Sequence, residues 1–129
     1  MKSYIANIEE VTLKNTDFRQ VLFTSHYSQL VVMSLKPGEE IGNEIHGLDQ
    51  FIRFEKGTAR VILDNGKITR DVAEDWVIII PAGTWHNVVN TGSTDLKLYT
   101  IYSPPEHRDG VVLHNKADAE EEHFDGTVS

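Results

Sequence analysis

Residues 43–51 read NEIHGLDQF. Glu44, His46 and Gln50 stand at offsets of two and four, so on an extended strand all three side chains leave one face. His86 lies in PAGTWHNVVN, residues 81–90, where Pro81 and Gly83 make a turn that delivers it to the start of a new strand. One strand can then present Glu44 and His46 to a single centre, with His86 arriving from a distant strand. Two imidazoles and one carboxylate hold divalent iron and leave coordination positions open; zinc, manganese and nickel accept the same donors. Gln50 is a weaker, neutral donor. It can coordinate through its carbonyl oxygen or orient a bound water from behind the ligands. A barrel that turns such groups inward needs a reason, because buried polar groups are costly unless satisfied.

The elements that must position these residues are short strands punctuated by turns. QLVVMSL (29–35) is a continuous apolar run closed by Lys36-Pro37-Gly38. QFIRFE (50–55) and TARVIL (58–63) follow, and Asp64-Asn65-Gly66 turns TARVIL back into KITRDV (67–72) as a hairpin. DWVIIIP (75–81) is a β-branched run stopped by Pro81, which cannot sit in a central strand. WHNVVN (85–90) and LKLYTIY (96–102) complete the series. Strands of four to seven residues separated by Gly, Pro, Asn and Asp predict an all-β sandwich or barrel. The acidic run ADAEEEHFDG (117–126) reads as a solvated face or tail, and residues 116–124 are expected to form a short helix or a tail.

The chain has 129 residues, which fits one domain over 1–129, with a barrel core at about 20–103 and a C-terminal extension at 104–129. Its 40% hydrophobic and 25% charged residues belong to the ordinary globular class. The net charge is −8, and the twelve Lys and Arg form no basic run. Neither nucleic acid nor an anionic membrane surface is therefore an expected partner. No apolar run approaches membrane-spanning length, and MKSYIANIEE has no apolar signal core. With no cysteine there is no disulfide, thiolate metal site or thiol nucleophile. A cytoplasmic location is the simplest expectation.

Two stretches resemble the motifs of the cupin family. In PGEEIGNEIHGLDQFIRFEKG, Gly38 and Gly57 frame Glu44 and His46 at the two places of the family's His-x-His and Gln50 at the place of its glutamate. In DWVIIIPAGTWHNVVN, Pro81, Gly83, His86 and Asn90 match the second motif. The resemblance covers about residues 29–102 and implies a double-stranded β-helix, or jelly-roll barrel, with a divalent metal held by Glu44, His46, Gln50 and His86. There are three departures. Glu44 replaces a histidine, Gln50 replaces a glutamate, and Asp75 replaces a glycine and should affect only a turn. Taken together, Glu44 and Gln50 move the carboxylate to another corner and leave the formal ligand charge at −1.

The chain resembles the small mannose-6-phosphate isomerase-like cupins, and the resemblance implies isomerase or lyase chemistry on a small oxygenated substrate such as a sugar or sugar acid. Oxygenation, as by an iron-dependent dioxygenase, and metabolite binding without catalysis are the alternatives. Glu44 can serve as ligand or base. Alternation along LKLYTIY with Lys97 outward puts Thr100 and Tyr102 inside, which makes Tyr102 a second catalytic candidate and leaves Tyr99 outside. Pro104-Pro105 stiffens a segment that could fold over the barrel mouth with His107 and His114, as a substrate contact or second metal site. His26, Arg53 and Arg60 read as surface residues, His123 as part of the acidic tail, and Trp85 as a packing or interface aromatic. The apolar surface of QLVVMSL and LKLYTIY exceeds what one interior needs, so a homodimer paired through an edge strand is expected.

Overall fold

The computed structural model describes residues 2–119 and 122–129. The chain runs through α1 (Ile8–Lys14), β1 (Arg19–Thr24), β2 (Gln29–Leu35), β3 (Asp49–Lys56), β4 (Thr58–Leu63), β5 (Ile68–Ala73), β6 (Val77–Ile80), β7 (His86–Asn90), β8 (Leu96–Ser103) and β9 (Val112–Leu113). The strands form two antiparallel sheets, one in the order β6-β3-β8-β2-β1-β9 and the other in the order β5-β4-β7. Residues 38–46 run along the outer side of β7, where Ile41 N donates to Val88 O at 3.0 Å and Asn90 N to Glu39 O at 2.9 Å. The result is the expected all-β jelly-roll sandwich.

The core lies between the sheets. Leu35, Ile52, Phe54, Leu96, Leu98 and Val88 are fully buried there, each on the inward step of a strand alternation. Asn90 joins the layers at one end of β7. Its amide donates to Leu35 O at 3.0 Å and Thr94 O at 2.9 Å, and its carbonyl accepts from Gly92 N at 2.9 Å. The hairpin between β4 and β5 turns at Asp64, Asn65 and Gly66 with φ of 52°, 56° and 92°, the left-handed backbone that Asn-Gly tolerates. Asp75 also has positive φ, 71°, which accounts for the glycine usual at that motif position. Arg53 Nη2 donates to its Oδ1 at 3.0 Å and steadies the turn.

Sequence reading missed three elements: α1, β1 and the two-residue β9. Helix α1 is a seven-residue element, too short to show a periodic stripe, and it depends on its contacts. Asn7 caps it by accepting from Glu10 N at 3.1 Å. It packs on β8, β3 and β2, over the side of the sheet turned away from the core. There Val32 is fully buried, and Lys97 donates to Asn15 O at 2.5 Å and Ser34 Oγ at 3.0 Å. Lys97 does face away from the interior, as alternation required, but beneath the N-terminal segment rather than in water. Burial pushes its ammonium below the usual lysine range. Part of the surplus apolar surface of β2 and β8 is therefore covered by the chain itself.

The acidic run does not form the expected helix in its described part. Lys116–Asp118 is one 3₁₀ turn, Ala119 is already extended, and Glu120 and Glu121 lie outside the described residues. Charge repulsion among neighbouring acids and the short length both oppose an α-helix here. The C-terminal segment instead folds back over the barrel mouth. Gln29, buried in β2, accepts from His107 N at 2.9 Å and donates to His107 O at 2.8 Å, so one side chain satisfies both backbone groups. Phe124 N donates to Glu106 O at 2.8 Å and Ser129 N to Thr24 O at 2.9 Å. Gln29→Leu would leave both His107 backbone groups unpaired in a buried place. We expect a loss of about 3 kcal/mol by urea denaturation, with faster amide exchange at His107 and Arg108.

Candidate metal centre

Glu44 and His86 sit directly opposite each other. Glu44 N donates to His86 O at 2.8 Å and His86 N to Glu44 O at 2.9 Å. Residues that exchange both bonds project their side chains to the same face. His46, two residues beyond Glu44, is held by Gly83 N donating to its carbonyl at 2.9 Å. One ligand atom from each of Glu44, His46 and His86 lies within 4.8 Å of the others. The structure thus brings together three of the four residues singled out in the sequence as one cluster of ligating side chains.

The side chains are oriented for that role. His86 Nδ1 lies 2.9 Å from Thr84 O, which fixes the tautomer with Nδ1–H donating and leaves Nε2 with its lone pair. Burial holds the His86 imidazole below its ordinary value, in the neutral form that ligates. His46 Nε2 lies 3.2 Å from Glu44 Oε2, and the two imidazole centroids are 5.3 Å apart. Burial by itself would raise the Glu44 carboxyl. The His46 imidazole, with the charges of Arg19 and His86, outweighs it and keeps Glu44 below the usual carboxylate range.

Gln50 is on β3, opposite Tyr102 of β8. Its Nε2 donates to Thr100 Oγ1 at 3.0 Å, while its Oε1 is buried with no hydrogen-bond partner. A buried carbonyl oxygen held without a donor is what either a coordination bond or a bound water would satisfy. Glu44, His46, His86 and this oxygen are compatible with a divalent ion. Tyr102 is inside, with Thr100, as alternation predicted. Its ring meets His46 edge-on at 5.9 Å and His107 at 5.0 Å. Burial drives its phenol far above the usual range, so it can donate a hydrogen bond but does not act as a phenolate base.

The cluster opens on a cavity of about 370 Å³ whose other wall is the C-terminal segment. Arg19, Glu106, His107, Glu122 and His123 line it beside Glu44 and His46. His107 Nδ1 lies 2.7 Å from Glu122 Oε1, and Arg108 N donates to Glu122 Oε2 at 2.9 Å. Burial would raise Glu122, but these two partners hold it below the usual range. His107 Nε2 is buried and unpaired. Glu106 Oε1 lies 3.6 Å from His46 Nδ1 and 3.1 Å from His123 Nδ1.

The fold-back of His107 over the mouth was legible from Pro104-Pro105. Glu106, Glu122 and Arg19 were not, since no local spacing links them to NEIHGLDQF. His114 is elsewhere: its Nδ1 lies 2.6 Å from Asp17 Oδ1 on the outside, and that carboxylate raises its pKa. His26 is exposed, and Arg53 and Arg60 pair with Asp75 and Asp71 away from the cavity. Trp85, expected to pack outside, lines the cavity instead. It precedes β7 in the turn after Pro81, where strand alternation does not hold.

A family model described as a cupin domain matches residues 31–102. The YrkC protein of Bacillus subtilis (strain 168) is 48% identical over 123 residues, covering 92% of this chain and 66% of that protein. A protein of Acanthamoeba polyphaga mimivirus is 53% identical over 112 residues, 84% of this chain and 70% of its own length. This chain thus spans about two thirds of those relatives. The crystal structure of BH2720 from Bacillus halodurans superposes with a TM-score of 0.89 at 47% identity, covering 91% of this chain and 92% of that one.

Gln50→Met removes the orphaned oxygen together with the bond to Thr100. The two effects oppose, so the unfolding free energy of metal-free protein should change by less than about 1.5 kcal/mol. Denaturation in the presence of a chelator checks this, and a loss of about 3 kcal/mol would mean that Oε1 has a protein partner.

Proposed function

The chain belongs to the cupin domain family, and on that premise we propose that it is a metal-dependent enzyme that moves a proton on a small oxygen-rich substrate, a sugar or sugar acid, in an isomerase or lyase reaction. The observation that carries this reading is the convergence of Glu44, His46 and His86, and the buried, unpaired Oε1 of Gln50 supports it. Those four would hold a divalent iron, zinc, manganese or nickel ion. Such an ion supplies Lewis-acid polarisation of a substrate carbonyl or hydroxyl oxygen.

The chain's own groups supply the proton handling. Glu122 orients His107 through Nδ1 and leaves Nε2 without a protein partner, so that nitrogen is the group proposed to exchange a proton with the substrate. Glu106 stands by His46 and steadies the ring from behind. Tyr102, kept neutral between His46 and His107, offers a donor rather than a base. The cavity walls are mostly polar and charged, which suits a hydroxylated substrate better than an apolar one.

The two-histidine, one-carboxylate set is also that of oxygen-using non-haem iron sites, so an iron-dependent dioxygenase is the second reading. A metabolite-binding protein without turnover is the third. Elemental analysis of purified protein, followed by deuterium uptake from solvent into a panel of sugars and sugar acids and by oxygen consumption with the same panel, separates them. Wild type should carry about one metal ion per chain, and Glu44→Ala and His86→Ala should each retain less than about a tenth of it. Full occupancy in both variants would sink the site assignment.

We also propose that two chains pair through β6. It is the end strand of the six-stranded sheet, and Trp76, Val77 and Ile79 are 53%, 49% and 67% exposed. Light scattering at micromolar concentration should give twice the chain mass, and Ile79→Lys should give a monomer.

A further inference from the structure

Arg19 opens β1, in register with Met33 of β2 and Leu113 of β9. It shares the inward step with Val21, and it is only 8% exposed. Among the described residues its guanidinium makes no hydrogen bond and no ion pair, and Nε is buried without an acceptor. Its guanidinium carbon lies 5.4 Å from the centre of the Phe18 ring. That contact occupies a face of the group and leaves its N–H donors unused.

A buried charge left without hydrogen-bond partners is expensive, and removing it from water is tolerated only where something completes it. The side chain lines the same cavity as Glu44, His46 and His107. The carboxylates there already have partners. Glu44 faces His46, Glu106 faces His46 and His123, and both oxygens of Glu122 are taken by His107 and Arg108 N. Arg19 feels Glu44 and Glu122 as charges at a distance but bonds to neither. The planar fork of an arginine matches a carboxylate or a phosphate, which it binds through two parallel N–H bonds.

We infer that Arg19 is the anion-binding residue of the cavity and that the ligand carries an oxyanion group, a carboxylate or a phosphate, at the end that docks on it. The inference rests on the cavity being the substrate pocket, and it narrows the substrate from any hydroxylated molecule to an acidic one. Arg19 fixes which end of the substrate enters first. The acidic end docks on the guanidinium, and a hydroxyl or carbonyl oxygen is left facing Glu44, His46 and His86.

Three probes on one skeleton test this by calorimetry against purified protein: glycerol, glycerate and glycerol phosphate. Wild type should bind at least one of the two anions and bind glycerol at least about tenfold more weakly. The tighter anion identifies the group as carboxylate or phosphate. Arg19→Met should weaken the preferred anion by at least about tenfold and leave the metal content unchanged. In wild type, a nitrogen-detected titration with the same anion should shift the Arg19 Nε–H resonance, which keeps the question decidable if the variant folds poorly. Equal affinity for glycerol, no binding of either anion, or an unshifted Arg19 resonance would overturn the inference. A protein that holds its metal but shows no Arg19-dependent anion binding refutes the anion site alone. One that binds the anion through Arg19 but holds no metal refutes only the metal-dependent reading.

Discussion

Two backbone hydrogen bonds, exchanged between Glu44 and His86, set the geometry on which the site depends. They make residues 42 apart in sequence direct cross-strand neighbours with side chains on one face. His46 follows from the period of an extended chain, and the Gly83 N–H on its carbonyl fixes its place. A shift of one residue in this pairing would put Glu44 and His46 on the face opposite His86. The ladder that supports the pairing is the barrel itself: β7 is held by β4 on one side and by residues 38–46 on the other. Stability and site geometry are therefore built from the same bonds.

The second layer of control comes from the C-terminal segment. Gln29, in the middle of the six-stranded sheet, grips both backbone groups of His107, and so ties residues 106 and 107 to the barrel mouth. The imidazoles of His86, His46 and His107 and the phenol of Tyr102 then form a continuous row of ring contacts from the cluster to that segment. Charge is organised along it. Among the described residues, each carboxylate lining the cavity has a partner, and Arg19 is a buried charge with no hydrogen-bond or ion-pair partner.

The departures from the family's motifs read differently with the structure in view. Asp75 occupies a position of positive φ, where the family's motif has glycine, and a bond from Arg53 holds the turn. Glu44 and Gln50 look like two separate losses when read singly. In the fold, Glu44 is in the ligand cluster, and the Gln50 amide is anchored to Thr100 with its oxygen left over. The carboxylate of Glu44 is thus within the His/Glu cluster, while the place of the family's glutamate carries a neutral amide.

The sequence by itself determined the all-β class, most strand positions, the hairpin at Asn65-Gly66 and the cluster of Glu44, His46 and His86. Each of those rests on local physics, on the two-residue period of strands and on turn chemistry within a few residues, or on a motif spacing that those strands enforce. Only the tertiary structure decided the rest. Helix α1 is too short to be stable alone and exists because β8, β3 and β2 receive it. Lys97 turns outward as alternation demands, yet it is buried because a distant segment covers it. Trp85 reaches the cavity because a turn suspends alternation. Arg19, Glu106 and Glu122 join the site through pairings and fold-backs across most of the chain, and no short-range pattern records contacts at that separation. What decides them is which strands find each other, a property of the packed sheets as a whole.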